Sequence, residues 1–273
     1  MSERPPSVVR RARWALLWAV GAAVVAGSGL LVAPLADAQI ARAADSRFAG
    51  LEWTFVRIRY SSWNTEGFRA RYWSDPWAID GPAAEQNLSR RVGSVTSIQV
   101  NEPIVLTIED PELWKYPWIY FVEPGNLQLT EAEVPILREF LLRGGVAVFD
   151  DFHGQFEWSV LEKELKRVFP DRAIVEMTAD HPVFRCFYQL DRYPQIPGLG
   201  SFFRGRTWEK GGFEAGLFTI YDDGGRPMVY INFNTDMGDG WEWSNAEEYP
   251  GYIQYTAEAY RMIINEIVYA LTH

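Results

Sequence analysis

Only one of the 273 residues is cysteine, Cys186, and only three are histidine. A lone thiol excludes an internal disulfide framework and any metal cluster built on several cysteines. The chain lacks both the Walker pattern and Gly-x-Gly-x-x-Gly, so the glycine pairs at 144–145, 211–212 and 224–225 do not read as phosphate cradles. Internal repeats and low-complexity tracts are also missing, which argues against a solenoid. Positive charge is in deficit: 26 Lys and Arg stand against 36 Asp and Glu, a formal net charge of −10. That balance disfavours nucleic acid and anionic lipid surfaces as partners.

Charge is absent altogether from residues 14–32. Arg4, Arg10, Arg11 and Arg13 precede this apolar run, Pro34 breaks it, and Ala36-Asp37-Ala38 offers the small residues a signal peptidase reads. The run is also long enough to span a bilayer. Residues 1–38 are therefore expected to be a signal peptide or a retained membrane anchor. The rest would be exported, either periplasmic or tethered to the inner membrane, touching membrane only through this segment. Removing four arginines, Glu3 and Asp37 takes the charge of the remainder from −10 to −12. Residues 39–50 read as a linker and 51–273 as a single domain.

Within that domain, residues 53–60 alternate aromatic or β-branched with polar side chains, the pattern of a strand with two unlike faces. A polar, Trp-containing loop is expected to about Asp80, then a helix from Pro82 to about Val92, ending at Gly93. Short strands are expected at 97–100 and 104–108. The continuous apolar run 117–122 suits a strand covered on both faces. Thr130 with Glu133 forms a capping box opening a helix, and Gly144-Gly145 closes it ahead of a strand at 146–149. Strand, helix and strand make a βαβ unit with parallel strands. A helix over 156–169, an irregular excursion over 192–212, a hairpin from 217–221 and 228–233, and an amphipathic helix over 252–271 complete an α/β fold. Its sheet is expected to be mostly parallel and flanked by helices, with a β-hairpin near the C-terminus.

Ligands of such sheets collect outside the carboxyl ends of the strands. Those ends supply Arg59; Glu123 and Asn126; Asp150, Asp151 and His153; and Asn234, Asp236, Asp239 and Glu242. Most are acidic. Adjacent carboxylates directly after a buried strand repel each other and lose hydration unless a cation, arginines or backbone donors compensate. Asp150, Asp151 and His153 are thus candidates for a divalent metal site or for acid–base catalysis. The bland alternative is a helix cap beside a solvated carboxylate. Asp180, His181, Asp236 and Asp239 could complete a ligand set. His181 before Pro182 equally suits a turn, and Cys186 suits a small buried apolar residue. The 12 tryptophans suit either core packing or stacking on sugars.

Several runs taken together, in order, resemble the bacterial domain of unknown function 4159. They are residues 53–60, residues 113–120, the capped helix into Gly144-Gly145, Phe149-Asp150-Asp151, His181-Pro182-Val183-Phe184, and the closing Asn-x-Asp-x-Gly-Asp-Gly-Trp-Glu run from Asn234 to Glu242. The resemblance implies a fold similar to class I glutamine amidotransferase-like and trehalose-utilisation-like domains, which are related to the flavodoxin-like architecture. It implies no activity. Amidotransferases hold a nucleophilic Cys on the turn after the strand that follows such a Gly-Gly; here Asp150-Asp151 occupies that place, so glutamine hydrolysis is not expected. Three functions remain open: a ligand- or partner-binding envelope module, a carboxylate- or metal-dependent hydrolase using Asp150, Asp151 and His153, and a carbohydrate-binding protein. The corresponding partners are envelope proteins or a small-molecule or carbohydrate ligand.

Overall fold

The computed structural model describes residues 45–273. The leader expected at residues 1–38, and the first part of the linker, lie outside the described residues. Residues 45–50 form a short turn that buries Phe48 in the core. Among the described residues no helix is long and apolar enough to cross a membrane.

The chain runs through β1 (Glu52–Trp53), β2 (Val56–Ile58), α1 (Thr65–Tyr72), α2 (Ala83–Val95), β3 (Gln99–Val100), β4 (Ile104–Leu106) and β5 (Trp118–Val122). It continues through α3 (Glu133–Leu142), β6 (Val146–Phe152), α4 (Gly154–Val168), β7 (Val175–Glu176) and α5 (Leu199–Phe203). The last elements are β8 (Gly216–Thr219), β9 (Val229–Phe233), α6 (Met237–Glu242) and α7 (Ile253–Thr272). Seven strands form the main sheet in the order β4-β2-β5-β6-β9-β8-β7, while β1 and β3 pair separately. Neighbours from β4 to β9 are parallel, and only β8 runs against the rest. The fold is α/β with helices on both faces and the expected C-terminal antiparallel hairpin.

Strand alternation builds the two core layers. Trp118, Tyr120 and Val122 of β5 face α2, α6 and α7 in one cluster; Ile119 and Phe121 face α3 and α4 in the other. Both faces are covered, so β5 and β6 are buried at every position. That matches the unbroken apolar runs that such strands require. Each fully buried Leu, Ile or Phe contributes about 1.5–3 kcal/mol of apolar transfer. The capping box forms in both directions: the Thr130 N–H donates to Glu133 Oε2 at 2.8 Å, and the Glu133 N–H to Thr130 Oγ1 at 3.2 Å.

Three expectations need correction. The strand over 53–60 is split, because Trp53 pairs with the small sheet while Val56 starts the large one. On its polar face, Arg57 is buried and ion-paired with Glu85. Gly93 does not end its helix, which continues to Val95. The stretch read as a loop before Asp80 contains a helix, α1, and a further helix, α6, follows Asn234 where no element was expected; both are too short to carry a clear apolar period.

Candidate metal centre

Because β5, β6 and β9 are adjacent and parallel, their carboxyl ends open on one edge. Glu123 and Asn126 follow β5, Asp150 and Asp151 close β6 with His153 just beyond, and Asn234 and Asp236 follow β9. Asp239 and Glu242 arrive on α6. Asp80 comes from a different direction, the segment ahead of α2. That segment is fixed from below by Arg57, whose guanidinium binds both Glu85 oxygens (3.1 and 2.6 Å) and the carbonyls of Trp77 (3.3 Å) and Ile79 (3.1 Å).

Asp150 is the floor of this edge. It is wholly buried and accepts from Tyr120 Oη (2.8 Å), the Met237 N–H (3.2 Å) and the Gly238 N–H (3.0 Å), thereby tying α6 to β6. Burial and the charge of Asp151 push its carboxyl up to about 7, with the three donors pulling the other way. With every donor contact turned inward, Asp150 positions α6 and presents no face to solvent.

Above the floor, ligand atoms of Asp80, Asp151 and Asp236 lie within 4.8 Å of one another, and so do those of Asp80, Asp239 and Glu242. Asp80 Oδ2 is buried and has no hydrogen-bond donor among the described residues. Burial first, then the charges of Asp239, Asp151 and Glu242, hold Asp80 well above the usual carboxylate range. Burial first, then the charges of Asp151, Asp239, Asp80 and Asp150, raise Asp236 well above it too. Asp239 sits at about 7, raised by burial against a hydrogen bond from the Leu199 N–H, and burial also raises Glu242. Glycines let these groups approach. A Cβ on Gly198 would lie 2.6 Å from Glu209 Oε1, 2.9 Å from Asp236 Oδ2 and 3.3 Å from Asp239 Oδ2, while one on Gly238 would overlap Asp80 Oδ2.

A second polar group flanks the first. Lys210 Nζ bridges Glu157 Oε1 (2.8 Å) and Glu123 Oε2 (3.6 Å), and Asn126 donates to Glu123 Oε2 at 3.3 Å. Burial would lower the Lys210 ammonium, but Glu123, Glu157 and Asp151 outweigh it and raise it. His153 is 1% exposed; its Nε2 lies 3.2 Å from Asp151 Oδ1 and its Nδ1 has no partner among the described residues. Asn234 accepts from the Gly154 N–H at 2.8 Å and donates to the Glu214 carbonyl at 2.6 Å, joining the start of α4 to the loop carrying Lys210.

Most of the strand-end residues singled out in the sequence therefore meet, but not all. Arg59 lies exposed at the end of β2, and its side chain has no ion pair or hydrogen bond among the described residues. His181 and Asp180 are elsewhere. His181 Nδ1 accepts from the Val183 N–H at 3.2 Å, and its ring lies against Tyr221 and Tyr269, near the start of β9 rather than its end. Cys186 is half-buried against the Asn265 carbonyl, and burial pushes its thiol up to about 11, the wrong direction for a nucleophile. Tryptophan divides: Trp53, Trp118 and Trp241 are core residues, whereas Trp63, Trp73 and Trp114 are exposed. Asp80, Tyr120, Glu157, Glu209 and Lys210 were not legible as site residues, since none directly follows a strand.

An all-oxygen, highly acidic donor set suits hard cations such as Ca²⁺, Mg²⁺ or Mn²⁺ better than thiophilic metals. The sequence family described as Domain of unknown function (DUF4159) matches residues 54–271. No curated protein matches the chain.

Proposed function

We propose that this chain, which belongs to the DUF4159 family, is a divalent-cation-binding α/β domain whose ligand site is the acidic edge of its sheet. The observation that carries the reading is Asp80 Oδ2. It is a buried carboxylate oxygen with no donor among the described residues, on a side chain that offers a ligand atom within the span of one coordination sphere with Asp151 and Asp236. Buried polar atoms almost always have a partner, and a cation is the partner that also relieves the repulsion among these carboxylates. Asp151, Asp236 and Asp80 are the ligands; Tyr120 and Asp150 orient α6 behind them.

The reading includes export, supported by the basic residues 4–13 and the apolar run that follows. It also includes the amidotransferase-like relationship, in which Asp151, at φ 57° near the end of β6, would stand in for the nucleophile of those enzymes. A carboxylate there can ligate a cation but cannot replace a thiol in glutamine hydrolysis. Isothermal titration of the full chain with Ca²⁺, Mg²⁺ and Mn²⁺ tests the reading. At least one ion is expected to bind, with affinity falling about tenfold or more in Asp151→Asn and Asp236→Asn as ligand charge is lost. Absence of binding by all three ions would overturn it.

A further inference from the structure

We propose that the acidic edge holds two divalent cations, with the Asp80 carboxylate bridging them; this rests on the cation-binding reading above and deepens it. Two oxygens on one ion, each about 2.0–2.6 Å from it, can be separated by at most about 4–5 Å. Five of the carboxylates at the edge offer ligand atoms close enough to share an ion, but they do not form one group of that size. They form two, Asp80 with Asp151 and Asp236, and Asp80 with Asp239 and Glu242, and the two share only Asp80. A carboxylate has one oxygen for each of two neighbouring ions, and paired ions typically sit about 3.5–4 Å apart.

The buried, donorless Oδ2 of Asp80 is the observation independent of clustering. Asp80 is 9% exposed and held at φ 62°, at the end of a segment whose Trp77 and Ile79 carbonyls are pinned by Arg57. The chain thus spends a buried ion pair and an unfavourable backbone angle on placing one carboxylate between the two groups. Gly238 permits it, since a Cβ there would collide with Asp80 Oδ2. Charge points the same way: with all five deprotonated as ligands must be, one divalent ion leaves three of their negative charges uncompensated and two leave one. The ion beside Asp151 and Asp236 is the more enclosed; the one beside Asp239 and Glu242, both only partly buried, is the more open.

Mn²⁺ titration of the full chain, followed by calorimetry and electron paramagnetic resonance, tests the bridge. The parent should take up two Mn²⁺ per chain and give an exchange-coupled multiline spectrum. Glu242→Gln should bind one Mn²⁺ with an uncoupled sextet, and Asp80→Asn should lose the coupling and weaken both sites. Circular dichroism checks that each variant is folded. One uncoupled Mn²⁺ in the parent would overturn the bridge and leave the cation-binding reading standing; a coupled pair persisting in Glu242→Gln would overturn the ligand assignment. No bound Mn²⁺ in the parent would overturn the bridge, and no binding of Ca²⁺ or Mg²⁺ either would overturn the cation-binding reading as well.

Discussion

Six non-glycine residues in the described chain have positive φ, and five of them, Asp80, Glu123, Asp151, Lys210 and Asn234, line the acidic edge. Left-handed backbone is unfavourable for most L side chains and persists where surrounding contacts impose it. Here Asp150, Asn234 and Arg57 supply those contacts. Tyr120→Phe removes one donor from Asp150; it should lower stability by about 1 kcal/mol and weaken cation binding by about tenfold, the scale of losses from groups that orient ligands. An unchanged affinity would remove Tyr120 from the site. Away from this edge, Glu266 is wholly buried, accepts from Asn232 at 3.4 Å, and burial holds its carboxyl well above the usual range. A raised folded pKa means a stability contribution that is full below about pH 4.3 and lost as pH rises toward the folded pKa. Urea midpoints should therefore converge for parent and Glu266→Gln at low pH and favour the variant increasingly, by up to about 1.4 kcal/mol per pH unit, above it. A pH-independent difference would show that Glu266 is ionised in the fold. Asp150-Asp151 stood out in the sequence because a buried apolar strand runs straight into two charges. Asp80 did not, since Ile79-Asp80-Gly81-Pro82 reads as an ordinary turn before a helix.

Among elements, the βαβ unit of β5, α3 and β6 was legible except for the last three residues of β6, which the charges at 150 and 151 hid, because its other signals agree: apolar run, capping box, apolar helix face, Gly-Gly, apolar run. The split of residues 53–60 was not, because alternation cannot tell a solvated face from one lined by a buried ion pair. That pair gives the segment before α2 its shape. Arg57→Ala should cost about 3–5 kcal/mol by leaving Glu85 buried without its partner, while Arg57→Met with Glu85→Leu should recover most of the stability. The double variant would still lack the anchors on the Trp77 and Ile79 carbonyls. It should therefore remain impaired in cation binding, as calorimetry can check; full binding would mean that Arg57 does not position Asp80. The helix α6 escaped notice because its Met-Gly-Asp-Gly-Trp-Glu sequence is glycine-rich and only 6 residues long.

For the whole molecule, topology decides where the charge goes. The placement of β9 beside β6, in the same direction, brings residues 150–153 and 234–242 together although more than 80 positions separate them. A net charge of −10 spread over the surface would be unremarkable; here several of the acidic groups are concentrated in a partly dehydrated recess. Compensation of that recess by bound cations is the central claim, and thermal unfolding of the full chain with and without Mg²⁺, Ca²⁺ or Mn²⁺ tests it most directly. At about 100 times the dissociation constant, binding to the folded state adds about 2.7 kcal/mol, a rise of roughly 5–10 °C for a domain of this size. Asp151→Asn should start from a higher cation-free midpoint, having lost one of the repelling charges, and at the same ion concentrations should gain no more than about half as much. Equal midpoints with and without all three cations in the parent would contradict the claim.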